Sequence, residues 1–428
     1  MSQPVSDTHF EAEYLIETPL DPAKVAEIMA GEQSSGTFIR VAGETDDLRA
    51  RARAEVIAVD LLEDRPEPTL PSAWLQRRGI AGPFKRARVR IRFPIANIGV
   101  NLSALASTVA GNLYDLGEVT GLRLQTMTLP ASYRRRYPMP KQGIAGTRAL
   151  MKAGEGPLLG SIIKPNVGMS PAETAAQVAI LCQAGIDFIK DDEISANPDH
   201  APLRERIPAV MAEIKRAEDR SGRRVMMAFN ITDETDAMRR HADLVAREGG
   251  TCVMANLNWC GFSAVETLRR STDLALHGHR NGFGALSRCV VLGIGFGAYQ
   301  VLWRLAGVDH MHVHGLDGKF AQDNQEVIDS TALCLTPLDD QSDDRVLPAF
   351  SSGQWAGTVP ATRQAAGGDD FLFMAGGGIA GHPGGAAAGV ESIRAAFEAT
   401  RTGQTLEDAA KSSQPLRQAL EFFGSKAA

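Results

Sequence analysis

The pattern of apolar and polar positions changes character near residue 154. Ahead of that point it is mixed. Residues 9–17 read as a strand. Residues 22–31 read as a helix, with Asp21 as N-cap and Pro22 at the first helical position. Residues 50–62 and 84–93 are β-like, and Ala87-Arg-Val-Arg-Ile-Arg-Phe93 alternates with period two, which predicts a strand with one buried face. A short helix over 102–110 and a strand over 122–129 complete the order β-α-β-β-α-β, the pattern of a ferredoxin-like α+β domain over residues 1–135. Residues 136–153 are basic and Pro-punctuated and read as a linker.

From 154 to 428 short apolar runs alternate with helical stretches. The runs fall at 158–164, 186–190, 225–230, 251–256, 273–279, 309–313, 346–351 and 371–375. Helices are predicted near 171–184, 202–218, 234–248, 262–270, 297–305, 321–335, 358–365 and 387–400, with a docking helix after 404. Eight strands of parallel type interleaved with helices predict a (β/α)8 TIM barrel. A doubly wound sheet also alternates strand and helix, but it supplies no reason for eight units.

Composition alters this picture little. The chain has 428 residues, 44% apolar and 22% charged, as in an ordinary globular enzyme. A net charge of −6 gives no electrostatic footprint for nucleic acid or an anionic membrane. No apolar run is long enough to span a bilayer, and the first residues lack the basic and apolar regions of a signal peptide. Cys182, Cys252, Cys260, Cys289 and Cys334 are scattered without CxxC spacing, which predicts reduced thiols and a cytoplasmic protein.

In such barrels the chemistry collects at the C-terminal strand ends. The first strand ends at Lys164, a candidate proton carrier or a plain surface lysine. The second ends in Lys190-Asp191-Asp192-Glu193. Lys190 and Asp192 share a strand face and Asp191 points the other way. Two carboxylates aimed at one site repel unless a cation lies between them, and oxygen donors suit Mg²⁺. A neutral lysine amine beside them can take up CO2 as a carbamate, a third oxygen ligand. Taken alone, the run reads more readily as a solvated charge cluster. Five of nine histidines lie in His277-Gly-His-Arg280 and His310-Met-His-Val-His314, at the fifth and sixth strands, where imidazoles can bind phosphate, move protons or bind metal. Gly315-Leu-Asp-Gly-Lys-Phe320 reads as a flap carrying a cation. Ser351-Ser-Gly353 and Ala375-Gly-Gly-Gly378 end the last two strands, where barrels commonly bind phosphate. Together these groups imply a small phosphorylated substrate bound with Mg²⁺.

Two segments then make the chain resemble the RuBisCO large-subunit superfamily over nearly its whole length. They are Ser161-Ile-Ile-Lys-Pro-Asn-Val-Gly168 and Gly185-Ile-Asp-Phe-Ile-Lys-Asp-Asp-Glu193. The resemblance implies that Lys190 is carbamylated by CO2 and holds one Mg²⁺ per subunit with Asp192 and Glu193. It implies that Lys164 is the acid/base lysine, that His279 and Arg280 are the strand-five histidine and phosphate-binding arginine, that His312 is a phosphate-site histidine, and that Lys319 is the flap lysine. Ser351, Gly353, Gly376 and Gly377 match substrate and phosphate contacts. Glu32, Thr37 and Phe38, in Glu32-Gln-Ser-Ser-Gly-Thr-Phe38, match the loop that reaches a partner subunit's site, and Asn112 matches a substrate-contacting asparagine. An obligate homodimer with shared active sites follows from the resemblance.

The departures limit what is inherited. Asn166 replaces the second lysine of the first motif, Phe283 replaces a second strand-five histidine, Ile162 a threonine and Phe38 a tryptophan. Ribulose bisphosphate carboxylation is therefore not expected, and the resemblance is to RuBisCO-like proteins. Retention of Lys319 and the segment Pro348-Ala-Phe-Ser-Ser-Gly-Gln-Trp355 lean toward the apiose-catabolic branch. The expected reaction is decarboxylation of 3-oxo-isoapionate 4-phosphate through an enediolate that Lys164 or His279 protonates. The alternatives are the transcarboxylase/hydrolase of the same pathway and a methionine-salvage enolase or isomerase. From other classes, a binuclear zinc hydrolase and a non-catalytic dimer remain; fold alone does not separate them.

Overall fold

The computed structural model describes residues 7–36 and 41–427. Its strands are β1 (His9–Thr18), β2 (Glu55–Arg65), β3 (Phe84–Pro94), β4 (Gly121–Thr128), β5 (Leu158–Ile162), β6 (Phe188–Lys190), β7 (Met226–Asn230), β8 (Cys252–Asn256), β9 (Ala275–His279), β10 (Leu292–Ile294), β11 (His310–His314), β12 (Leu347–Phe350) and β13 (Leu372–Ala375). They form a five-stranded sheet in the order β10-β4-β1-β3-β2 and a closed barrel in the order β11-β12-β13-β5-β6-β7-β8-β9. Both expected folds are present. Two compact units result, one of residues 1–139 with 282–306 and one of 140–281 with 307–428.

In the first unit the order β4-β1-β3-β2 is that of a ferredoxin-like sheet. The alternation in β3 does what it predicts: Ala87, Val89, Ile91 and Phe93 are buried. They stand opposite Ile16, Tyr14, Ala12 and Phe10 of β1, so one face of the antiparallel pair is continuous and apolar. Helix Pro22–Glu32 begins as expected, with the Asp21 carboxylate accepting from the Ala23 amide at 3.1 Å. The β-like reading of residues 50–52 is corrected. They end a helix, Asp46–Ala52, capped by Thr45, and the local cap outweighs their modest β preference.

Segment 282–306 was expected within the barrel and belongs instead to the first unit. The helix foreseen at 297–305 exists as Phe296–Leu305, but it follows β10, which pairs in parallel with β4. The helix is buried along most of its length, including Phe296, Tyr299, Val301, Leu302, Trp303 and Leu305. Even its polar pair, Gln300 and Arg304, is buried, and a helix without an exposed face carries no periodic signal of which partner it packs against. A Cβ at Gly297 would lie 2.7 Å from the Gln125 carbonyl of β4, so the close approach there requires glycine.

In the second unit the barrel interior is filled by Leu158, Phe188, Met226, Ala228, Cys252, Met254, Ala275, Leu347, Ala349, Leu372 and Met374. Each large side chain so buried contributes about 1.5–3 kcal/mol. The expected linker 136–153 is only partly irregular, because Gly143–Met151 is a helix whose Ile144 and Met151 pack into this core. Those two residues and the buried Thr147 lie at i, i+3 and i+7, one helical face. The other foreseen helices form with small shifts, such as Asn324–Leu335, which starts later because Asp323 caps it. Leu257–Ser271 is kinked at Gly261, which has φ of 78°. Among the described residues no helix is long and apolar enough to cross a membrane.

One buried ion pair ties the floor together. Asp309 accepts from the amides of Gln142 (2.7 Å), Gly143 (2.9 Å) and Leu276 (2.8 Å) and pairs with Arg269 at 3.0 Å. Both side chains are wholly buried. Asp309→Ala leaves the guanidinium without its anion and is expected to lower unfolding stability by about 3–5 kcal/mol. Denaturant unfolding measures this, and Arg269→Met added to Asp309→Ala should recover part of the loss. A fall below about 1 kcal/mol would refute the role.

Candidate active site

The C-terminal ends of the barrel strands place Lys164, Lys190, Asp192, Glu193, His279, His312 and Ser351 at one mouth of the second unit. β6 is only three residues long, and its last residue, Lys190, is 1% exposed. Its amine donates to the Asp191 carbonyl at 2.9 Å and lies 3.7 Å from the Glu193 carboxylate. Burial pulls the Lys190 amine below the ordinary lysine range, against the opposing pull of Glu193, Asp192 and Asp191. A buried amine so shifted is readier to be neutral and nucleophilic.

Asp191 faces away from this group, as the strand alternation predicts. Its carboxylate pairs with the buried Arg206 at 3.0 Å and accepts from the Asn230 amide at 3.0 Å. Asp192 accepts from Lys164 Nζ at 2.8 Å, and Lys164 Nζ also donates to the Asn166 side chain at 2.7 Å. Glu193 lies 3.5 Å from His279 Nε2. Burial pushes the Glu193 carboxyl up, but Lys190 and its hydrogen bonds bring it below the usual range. His279 is held well below the usual imidazole range by burial and by the Lys190 charge.

Several residues here were not foreseen. Asn230 and Asn256 end β7 and β8 and hold the backbone of the acidic run. Asn230 Nδ2 donates to the carbonyls of Asp192 and Glu193 at 3.1 Å each, and Asn256 Nδ2 to that of Glu193 at 2.7 Å. Gln177 grips the Lys164 carbonyl. Inspecting every strand end, not only those with charged residues, would have found both asparagines.

The remaining expected residues fall in several places. His312 is buried and its Nδ1 lies 3.0 Å from Ser351 Oγ. Arg280 is buried and donates to Gln322 at 2.7 Å. Lys319 is exposed, 5.2 Å from the Phe320 ring centre. Gly318, in the same loop, comes against Gly353. Gly353 has φ of 85° after Ser352 at 70°, so the turn ending β12 sits in left-handed backbone. A Cβ at Gly376 would meet Lys164 Cε at 3.3 Å, while one at Gly377 would meet nothing. In the first unit Asn112 Nδ2 donates to exposed Glu32 at 3.5 Å. Thr37 and Phe38 lie outside the described residues. Phe283 belongs to the first unit, packed on Tyr299 with ring centres 4.4 Å apart.

The donor set suits a hard divalent cation. Asp192 and Glu193 offer oxygens, and buried Asn256 Oδ1 has no hydrogen-bond partner, so it can accept from a water of a partly hydrated ion. Lys190 as an amine is no oxygen ligand, and only its carbamate would make a third. Among the described residues no three His, Cys, Asp or Glu side chains gather as a metal site.

Comparison with known proteins agrees with this architecture. The ribulose bisphosphate carboxylase large chain N-terminal domain matches residues 3–133 and the catalytic domain residues 143–423. A 3-oxo-isoapionate-4-phosphate transcarboxylase/hydrolase of Xanthobacter autotrophicus is 48% identical, covering 96% of this chain and 98% of that protein. A 3-oxo-isoapionate-4-phosphate decarboxylase of Rhizobium rhizogenes is 40% identical, covering 96% and 97%. The crystal structure of a rubisco-like protein from Burkholderia fungorum matches with a TM-score of 0.92 and 60% identity, covering 97% of this chain and 100% of that one. With both domain models spanning the chain and the barrel mouth built as described, this protein belongs to the ribulose bisphosphate carboxylase large-chain family, as a RuBisCO-like protein whose kin include the 3-oxo-isoapionate-4-phosphate enzymes.

Proposed function

We propose that this protein is a Mg²⁺-dependent enzyme that decarboxylates 3-oxo-isoapionate 4-phosphate. The observation that carries the reading is the buried Lys190 amine between the Asp191 backbone carbonyl and the Glu193 carboxylate, beside an Asp192 held by Lys164. With Lys190 as a carbamate, three anionic groups face one ammonium, and a divalent cation cancels the remaining two charges. Lys190, Asp192 and Glu193 would hold the ion, which would supply positive charge to offset the negative charge that the substrate's ketone oxygen gains.

The substrate class follows from the same groups and from the relatives' names. A β-keto acid loses its carboxyl group when the electrons of the breaking C–C bond move onto the neighbouring ketone, leaving CO2 and an enediolate. Lys164 then returns a proton to carbon, with Asn166 orienting its ammonium through the 2.7 Å hydrogen bond. His279 is the alternative donor. Lys319, an ammonium on an exposed loop, pairs with the substrate carboxylate. Arg280, Ser351, Gly353, Gly376 and Gly377 receive the phosphate, and His312, with both ring nitrogens engaged, stands behind Ser351 rather than on the phosphate itself. The loop of Glu32, Thr37 and Phe38, with Asn112, completes the mouth of a second copy of the chain in a homodimer.

One observation favours a second reading. The relative at 48% identity is named a transcarboxylase/hydrolase. Such a reaction shares the enediolate but returns the carboxyl carbon to the substrate and cleaves the chain with water. Substrate labelled with ¹³C at the carboxyl group separates the two. Decarboxylation is expected to release one labelled CO2 per ketose phosphate formed. Label retained in a carboxylic acid product would replace the first reading by the second, and unconsumed substrate would reject both.

A further inference from the structure

A column of buried rings runs from the barrel floor to the mouth. Thr147, on the floor helix Gly143–Met151, places Oγ1 2.7 Å from His310 Nε2. His310 Nδ1 lies 3.3 Å from His277 Nδ1. His277 Nε2 lies 2.8 Å from His312 Nε2, and His312 Nδ1 lies 3.0 Å from Ser351 Oγ. Each ring thus has one neighbour at each nitrogen, and all five residues are buried.

We propose that the Thr147 hydroxyl is a positioning group that sets the tautomers of His310, His277 and His312 and so fixes which way the Ser351 hydroxyl points. A neutral imidazole carries one N–H and one lone pair, so the polarity at one end of such a column dictates that at the other. Burial keeps these rings neutral; it lowers His310 to about 3 and holds His277 and His312 well below the ordinary range. At the floor, Thr147 donates its only hydroxyl hydrogen to the Gly143 carbonyl at 2.5 Å, one turn back. Thr147 Oγ1 can then only accept, so His310 is protonated at Nε2. His310 Nδ1 accepts from His277 Nδ1–H, His277 Nε2 accepts from His312 Nε2–H, and His312 Nδ1 accepts from Ser351. In this polarity the Ser351 hydroxyl donates inward and shows lone pairs to the mouth. An anion there is bound better by the opposite polarity, in which every proton in the column moves to the other nitrogen and Ser351 is free to donate outward. The tautomer assignment rests on the column geometry alone. The anion step rests on the phosphate reading of Ser351 given above.

Selective ¹⁵N-histidine NMR on the full-length protein tests the assignment. The wild type is expected to show His310 and His312 protonated at Nε2 and His277 at Nδ1. Thr147→Val removes the acceptor, so His310 Nε2–H has no partner and the pattern inverts. Thr147→Ser restores it. A wild type with the opposite pattern, or a valine variant that keeps the wild-type pattern, overturns the proposal. With the polarity inverted, inorganic phosphate should bind Thr147→Val about 3- to 10-fold more tightly, the worth of one hydrogen bond. Inversion of the pattern with unchanged phosphate affinity overturns the anion step and the placement of phosphate on Ser351, and leaves the tautomer control standing. A merely structural role for Thr147 would move neither readout in these directions.

Discussion

Lys190→Met is expected to lower kcat by roughly a thousandfold or more, the cost of about 4–6 kcal/mol of transition-state stabilisation when the metal site is lost. The wild-type side chain is 1% exposed, and methionine is close to it in length. The fold should nevertheless survive, because the partner left behind, Glu193, is about a third exposed and keeps its access to water. Activity and stability are expected to separate: kcat collapses while Tm holds. Mg²⁺ with bicarbonate should raise the Tm of the wild type and leave that of the variant unmoved, since a ligand stabilises only a state that binds it. A variant that retains wild-type turnover, or the same thermal response to Mg²⁺, refutes the assignment of Lys190 to the metal.

Lys164→Met is expected to cost about a hundredfold to ten-thousandfold in kcat, the range of a positioned acid. It also removes the 2.8 Å partner of Asp192, a carboxylate 2% exposed. The two roles predict different rescue. If Lys164 supplies the proton, a small primary amine added to the variant should recover part of kcat at the vacated position. If it serves only as the counter-ion of Asp192, Lys164→Arg should restore activity better than any free amine. Turnover within threefold of wild type would leave Lys164 without either role. Measured together, the two lysine variants separate metal capture from proton transfer: Mg²⁺ should still stabilise the Lys164→Met protein.

The site was unevenly legible in the sequence. Lys190, Asp192 and Lys164 are candidates in the sequence because each follows a short apolar run and barrel chemistry sits at strand ends, and the structure brings them to one mouth. The direction of Asp191 was legible for a simpler reason: successive side chains of a strand point to opposite faces, and Asp191 does meet Arg206 on the other side. Asn230 and Asn256 were missed because a neutral amide at a strand end carries no charge pattern, although both brace the acidic run. The histidines were noticed as a group, but the column was not. Its order, His310 to His277 to His312, alternates between two strands and depends on the register that sets His310 beside His277.

The folds divide in the same way. Periodicity is a local property, so the eight barrel strands and the alternating face of β3 were set by the chain's own spacing of apolar residues. Partner choice is not local. The helix Phe296–Leu305 was visible as a helix, but its membership in the first unit depends on β10 pairing with β4, about 170 positions away in the chain. The helix Gly143–Met151 looked like a linker because its glycines and the preceding prolines weaken local propensity, and packing on the barrel floor outweighs that. The amino-acid order alone thus carried the family resemblance, the strand count and the charged groups at the mouth. Only folding in three dimensions decided that Lys190 is buried, that Asp192 meets Lys164, and that a threonine on the floor stands in line with a serine at the mouth. Burial and hydrogen-bond direction depend on what surrounds a residue, and those surroundings are assembled from segments far apart in the chain.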